Sequence, residues 1–281
     1  MGVIHSFSFG GGVQSTAALV LAAQGKLPAT DESFRWDVFL FANVGERAES
    51  PATIKYVEEY AKPFAAEHGI DLREVRKRLK DGTEDDLLTR IERGQRSIPI
   101  PVRLSSGAPG RRSCTADFKI KPIERALKSM GATADNPAIV GIGISMDEIQ
   151  RVKGWGEADP RSPNQIREYP LIRLNLRRRD CIKIVTDSGL PQHPRSACWF
   201  CPFHSLDEWR RLKREEPDLF EKACEIEEML GTRRGDSPRD RVWMTDHLRP
   251  LSEVVQDQLV LSFDDEHGGD GATCDTGHCF T

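Results

Sequence analysis

Two cysteines stand two residues apart in Cys198-Trp199-Phe200-Cys201, flanked by Pro191, Pro194, Pro202, Phe203 and His204. In a tight loop this spacing turns two thiolates toward one metal while bulky neighbours keep water away. The chain carries seven cysteines, an odd number. Its start lacks the basic-then-apolar opening of a secretory signal. Metal or redox thiol chemistry in a reducing cytoplasm is therefore expected, rather than a disulfide framework. Cys181, beside Ile182 and Ile184, and Cys224, among Ala223, Ile226 and Met229, fit helix cores. Cys114, Cys198, Cys201, Cys274 and Cys279 remain for chemistry. An iron–sulfur [4Fe–4S] cluster takes four thiolates, or three where one iron stays open. Cys114, Cys198 and Cys201 supply three, and the tail supplies either a fourth ligand, Cys274 or Cys279, or a catalytic thiol. A redox dithiol is the rival for the Cys-x2-Cys pair, but such a pair opens the helix after the first strand of its fold, and this one comes late in the chain. A zinc site built from Cys198, Cys201 and His204 is the other alternative.

The second group with chemical content is Gly10-Gly11-Gly12-Val13-Gln14-Ser15, placed after the β-prone run Val3 to Phe9 and before the helix former Thr16 to Ala23. Three glycines remove every Cβ where a strand feeds a helix, so backbone N–H groups can close around an anion. The helix points its positive end at the same place. No Lys follows Gly12, which excludes the Walker A loop, and Gln14-Ser15 breaks the Gly-x-Gly-x-x-Gly dinucleotide pattern. Ser8, Gly10, Gly11, Gly12, Gln14 and Ser15 are the candidate phosphate cradle.

These groups need a scaffold. Further strands are expected over 36–42, 71–75 and 138–145, with an edge strand over 169–174. Helices are expected over 51–68, 180–188, 206–214 and 217–229, and from about Cys114 to Leu127. Strands alternating with helices predict an α/β fold with a parallel sheet and ligands outside the C-terminal strand ends. Asn43 and Glu46 sit at such an end and join the nucleotide-site candidates. Residues 80–113 break the alternation with an acidic cluster, a short amphipathic helix and a Pro/Gly/Ser-rich stretch, and are expected to form a mobile loop over the site. The domains expected are a nucleotide-binding α/β part, 1–190, and a cysteine-loop, helical and tail part, 191–281. With 281 residues, 38% hydrophobic and 30% charged, a sizeable core is available. A net charge of −4 gives no overall attraction to nucleic acid or membrane, so a polyanion site must be local. Arg111-Arg112, Arg177 to Arg179 and Arg210 to Arg214 are the basic groups for one. No run reaches transmembrane length.

The glycine stretch resembles the PP-loop of the ATP-pyrophosphatase (adenine nucleotide α-hydrolase-like) superfamily, usually Ser-Gly-Gly-x-Asp-Ser, with Gly10 in place of Ser and Gln14 in place of Asp. Ser113-Cys114, followed by Lys119 and Pro122-Ile123, resembles the segment of the PAPS/APS reductase branch in which two adjacent cysteines, a Lys and a Pro-Leu/Ile pair precede a helix; one of the cysteine pair is missing here. Gly141-Ile142-Gly143-Ile144-Ser145-Met146-Asp147-Glu148-Ile149-Gln150-Arg151 is similar to that branch's nucleotide-contacting Gly-Ile-Arg-x-x-Glu-Ser-x-Arg segment. It matches at Gly141, Ile142, Glu148 and Arg151, and has Gly143 for the middle Arg. The resemblance implies a Rossmann-like (HUP-type) three-layer sandwich with a small helical C-terminal part and a cysteine-bearing tail. It implies ATP, Mg²⁺ and a [4Fe–4S] cluster as cofactors, and Arg151 as a phosphate contact. The activity it implies is sulfur insertion through an adenylylated acceptor, as in tRNA thiolation and DNA phosphorothioation. A nucleic acid is one candidate acceptor, and a cysteine desulfurase a candidate sulfur donor. The alternatives are a PAPS/APS reductase, with Cys279 or Cys274 attacking sulfur, and a non-catalytic zinc-stabilised nucleotide-binding protein.

Overall fold

The computed structural model describes residues 2–30, 33–94, 97–160, 162–233 and 241–256. Eight strands form among the described residues: β1 (His5–Phe9), β2 (Val38–Asn43), β3 (Leu72–Arg76), β4 (Arg103–Leu104), β5 (Ala138–Ile142), β6 (Ala158–Asp159), β7 (Ser162–Glu168) and β8 (Val242–Trp243). Six build one sheet in the order β3-β2-β1-β5-β7-β6, parallel except at β6. β4 and β8 make a separate antiparallel ribbon.

Period-2 alternation sorts the side chains into two layers. Phe7, Phe9, Phe39 and Phe41 pack on one face against helices Val13–Ala23 and Arg178–Asp187 and the helical stretch 51–67. Val38, Leu40, Ala42, Ala138 and Val140 pack on the other against Ile123 and Leu127 of helix Lys121–Ser129. The result is an α/β three-layer arrangement around a mostly parallel sheet. From β1 the chain steps outward through β2 and β3, then returns to place β5 on the far side of β1. Loops after β1 and β5 therefore leave in opposite directions, and the crevice between them is where such sheets bind ligands. No helix among the described residues is long and apolar enough to cross a membrane.

Three expectations are corrected. The strand beside β5 lies over Ser162–Glu168, with the short β6 outside it, and the apolar run 169–174 instead opens with helix Pro170–Arg173. Pro170 lacks the N–H a ladder needs and suits a first helical turn. The expected strand 138–145 ends at Ile142, because Met146–Arg151 winds into a 3₁₀ turn. Residues 80–113 are not an open loop. Leu87, Leu88 and Ile91 of helix Leu87–Glu92, with Ile100 and Val102, are buried in a second core with Phe118, Trp199, Phe200, Trp209, Phe220, Val242 and Leu251. The C-terminal part thus shares its core with 87–118, so a cut at residue 190 passes through packed side chains.

Candidate functional site

Gly11 has φ +74°, a left-handed conformation that costs any other residue, and a Cβ there would stand 2.9 Å from Thr53 Cγ2. Ser15 caps the turn. Its Oγ accepts from the Gly12 N–H at 3.1 Å and donates to the Gly12 carbonyl at 2.9 Å. No acidic side chain occupies the first turn of helix Val13–Ala23, so its positive end is left for a ligand. Gly143 faces this loop, a Cβ there lying 3.5 Å from the Ser15 nitrogen. The Ser8 and Ser145 hydroxyls, at the ends of β1 and β5, are buried without hydrogen-bond partners. The glycine turn and the helix end that no acid compensates fit an oxyanion ligand.

Across the crevice, Gln14 Nε2 donates to Glu148 Oε2 at 3.3 Å, and Arg151 Nη1 donates to Glu148 Oε1 at 2.7 Å. Arg178 Nη1 reaches Gln14 Oε1 at 3.5 Å. Gln14, Glu148 and Arg151 are all buried, so the network ties the β1 loop to the β5 loop. Arg151, expected to contact phosphate, is engaged by Glu148. Arg178 is the half-buried cation that the sequence placed only in a basic run. The amide at position 14 is complementary to Glu148, whereas an Asp would oppose it. Gln14→Asp is expected to destabilise the fold by about 1–3 kcal/mol at pH 7. Two facing carboxylates share a proton when the pH falls, so the deficit should shrink near pH 5, and Glu148→Gln should remove it. Denaturant unfolding of the three variants at both pH values checks this.

The remaining nucleotide candidates have structural partners. Asn43 Oδ1 accepts from the Gly45 N–H at 2.9 Å and Nδ2 donates to Glu74 at 3.1 Å. Glu46 is exposed and paired with Arg76 at 2.9 Å. Gly141 has a packing role, because a Cβ there would stand 2.5 Å from the Trp36 ring.

Cys114, Cys198 and Cys201 line one narrow pocket, together with Arg112, Thr115 and Lys119. Val44, Leu87, Ile100, Phe200 and Phe203 make its apolar wall. None of the five described cysteines forms a disulfide. The distant sequence positions converge because Cys114 opens the helical stretch 113–129 and the Cys-x2-Cys turn is strapped to 45–53. Glu49 bridges Cys198 in antiparallel fashion, the Ser50 N–H donates to the Ala197 carbonyl at 3.2 Å, and Trp199 Nε1 donates to the Arg47 carbonyl at 2.7 Å. The same segment touches the glycine loop, since Ser196 Oγ donates to the Gly10 carbonyl. Glu49 is buried; burial pushes its pKa up, and Lys119 and the Ser50 N–H oppose the shift. Ser196, Glu49 and Thr53 had no sequence signal, because each acts through a contact made only on folding.

Among the described residues no three His, Cys, Asp or Glu side chains stand close enough to grip an ion as they are. The three thiols share a cavity rather than a coordination sphere. As a donor set, three soft thiols in an apolar cavity with two cations nearby fit an iron–sulfur cluster, whose net charge the cations offset. The expectations at Cys274 and Cys279 lie outside the described residues. Cys181 and Cys224 are core thiols, pushed by burial up to about 12 and about 11.

His204 lines two other cavities and not that of the cysteines. Burial, with Arg195 and Arg211 nearby, lowers its pKa to about 3. The unfolded chain, near 6.5, therefore takes up this proton first. The contribution of His204 to stability is complete above about 6.5 and declines as the pH falls toward 3. His204→Asn is expected to flatten that part of the acid-unfolding curve, which a pH series of thermal midpoints would show.

No protein-family model matches the chain, and no curated protein matches it. The fold and the site together define an α/β protein with a glycine turn at a sheet crevice and a three-thiol pocket beside it.

Proposed function

We propose that this chain is a PP-loop enzyme of the HUP-type fold that binds ATP, adenylylates an acceptor with release of pyrophosphate, and inserts sulfur. One observation carries the reading: the three-cysteine cavity is tied to the glycine loop through Ser196 on Gly10 and Glu49 beside Cys198. Sulfur chemistry and phosphate binding thus share one neighbourhood.

The Gly11 and Gly12 backbone and the positive end of helix Val13–Ala23 hold the triphosphate. Arg178 adds positive charge beside Gln14. The acceptor oxygen attacks the α-phosphorus, the new O–P bond forms, the bond to the pyrophosphate oxygen breaks, and pyrophosphate leaves with its electron pair. A sulfur nucleophile then takes the place of AMP. Cys114, Cys198 and Cys201 would hold a [4Fe–4S] cluster, which supplies an open iron for sulfide when bound. Val44, Leu87, Ile100 and Phe200 keep water from the thiols, and Lys119 and Arg112 balance their charge. The loop offers no carboxylate for Mg²⁺, because Gln14 stands where one is expected and is engaged by Glu148 and Arg178. No step is routed through that ion. The sulfur donor fits a cysteine desulfurase, and the acceptor is a nucleic acid or a small molecule.

The missing carboxylate favours a second reading. A loop that grips a nucleotide without handling a metal suits a PAPS/APS reductase, in which a thiol attacks the sulfur of the bound substrate. Assays on anaerobically purified protein separate the two. Acceptor-dependent pyrophosphate release from ATP supports the first. Sulfite formed from APS or PAPS with a thiol reductant and no ATP sinks it in favour of the second.

A further inference from the structure

The segment 195–201 is bonded to the glycine loop at one end and carries two of the pocket's thiols at the other. The Ser196 hydroxyl donates to the Gly10 carbonyl. Thr53 Oγ1 donates to the Arg195 carbonyl at 3.4 Å, while Thr53 Cγ2 packs where a Gly11 Cβ would stand. Two adjacent residues of the segment are thus linked to two adjacent glycines. Residues 197–199 are strapped to 47–50, and the Cys201 N–H closes the turn on the Cys198 carbonyl at 3.0 Å. Ser196 and Thr53 are both buried. Ser196 precedes Cys198 by two residues, at most about 7 Å along an extended chain.

The Gly10 carbonyl shares a planar trans peptide unit with the Gly11 N–H, and the two groups point in opposite directions. A hydroxyl that fixes the carbonyl therefore fixes the N–H as well, a donor of the glycine turn. Gly11 has no Cβ to restrict its backbone, so the plane is held from outside the loop. At the other end, no three metal-binding side chains among the described residues stand close enough to grip an ion, although the three thiols share one pocket. Common ligation draws the Cys198–Cys201 turn and Cys114 together. Ser196, on the same strapped segment, takes up the backbone part of that movement.

We propose that Ser196 is a positioning residue that couples the two sites. It sets the Gly10–Gly11 peptide for the phosphates of the nucleotide, and it makes that setting depend on ligation of the Cys198–Cys201 turn. A loaded thiol pocket thereby tightens nucleotide binding. This deepens the proposed function and rests on its placing phosphates at the glycine loop and a cluster at the thiols. A ligated turn holds the hydroxyl in one place, and a cradle ordered in advance costs a nucleotide less to bind. The dependence is reciprocal, so bound nucleotide should hold iron more tightly against a chelator.

Calorimetric titration of a non-hydrolysable ATP analogue into the anaerobically purified full chain tests this, with iron measured on each sample. The parent, Cys198→Ser, Ser196→Ala and the double variant form a cycle. Cys198→Ser should weaken analogue binding about 5–10-fold in the parent, and less than about twofold in Ser196→Ala. Charge on a cluster acts on the phosphates through space and would survive in both backgrounds. A merely structural serine would weaken both by one factor, so only a transmitted effect disappears with the hydroxyl. Thr53→Val keeps the methyl on Gly11 but cuts the bond to Arg195. It should shrink the Cys198→Ser effect in the same direction, and it decides the matter if Ser196→Ala does not fold. Cys224→Ser should leave binding unchanged. A Cys198→Ser effect of equal size in both backgrounds, or none in the parent, overturns the proposal. An analogue that does not bind sinks the ATP reading alone. The same cycle run with APS then decides this proposal, and failure of APS to bind as well overturns it.

Discussion

Cys198→Ser protein purified without oxygen is expected to lose iron and acid-labile sulfide about 10–100-fold, and with them its broad absorption near ~400 nm. The same result is expected for Cys114→Ser and Cys201→Ser, because the three thiols line one cavity although Cys114 lies 84 residues before Cys198. A serine hydroxyl keeps the volume but not the soft, ionisable donor, so the fold should survive while the site does not. Cys224→Ser is the control. That thiol is pushed up to about 11 by burial and packs at the edge of the second core, so its loss should leave metal content unchanged. Colour retained in all three cavity variants would refute the cluster assignment. Colour lost only in Cys198→Ser and Cys201→Ser would remove Cys114 from it. Iron and sulfide analysis beside the absorption spectrum reads all of these outcomes.

Gly11→Ala is expected to impair both stability and nucleotide binding, whereas Gly10→Ala should leave stability unchanged. At Gly11 an L-residue must accept φ +74°, worth about 1–2 kcal/mol, and its Cβ would stand 2.9 Å from Thr53 Cγ2, adding about 1–3 kcal/mol of overpacking. Relief of that strain tilts the peptide units that face the ligand, so ATP affinity should fall about 10–100-fold, the loss of one or two charge-assisted hydrogen bonds. At Gly10 a Cβ meets nothing closer than Ser15 Oγ at 3.9 Å. The contact and backbone parts of the Gly11 effect can be separated. Thr53→Ser removes Cγ2, so the double variant should recover the overpacking part and keep the φ part. Denaturant unfolding and calorimetric ATP titration of the four proteins provide the measurement. Equal stability of the Gly10 and Gly11 variants would contradict this account of the loop.

Much of the scaffold was legible in the chain. The runs at β2 and β5 are nearly continuous and apolar, as strands buried on both faces of a parallel sheet must be, β1 alternates Phe with small Ser residues, and the helices between them carry period-3.6 stripes. β7 was not legible. Ser162–Glu168 is polar, because its place in the sheet comes from pairing with β5 and from the hairpin with β6, not from an apolar pattern. Residues 80–113 misled for a related reason. Their Pro- and Gly-rich composition is that of a loop, and only the presence of Phe118, Trp199 and Trp209 turns Leu87, Ile91 and Ile100 into core.

The sequence alone determined the glycine turn after the first strand, the Cys-x2-Cys spacing and the α/β alternation. Each is a local property, set by which residue types tolerate a backbone conformation or alternate along one element. Tertiary structure decided what those pieces face. It set Gln14 against Glu148, turned Arg151 into an internal ion-pair partner, separated His204 from the cysteines, and brought Cys114 to Cys198 and Cys201. Those relations depend on strand order and on the strapping of 45–53 to 195–201, long-range pairings that no local pattern encodes.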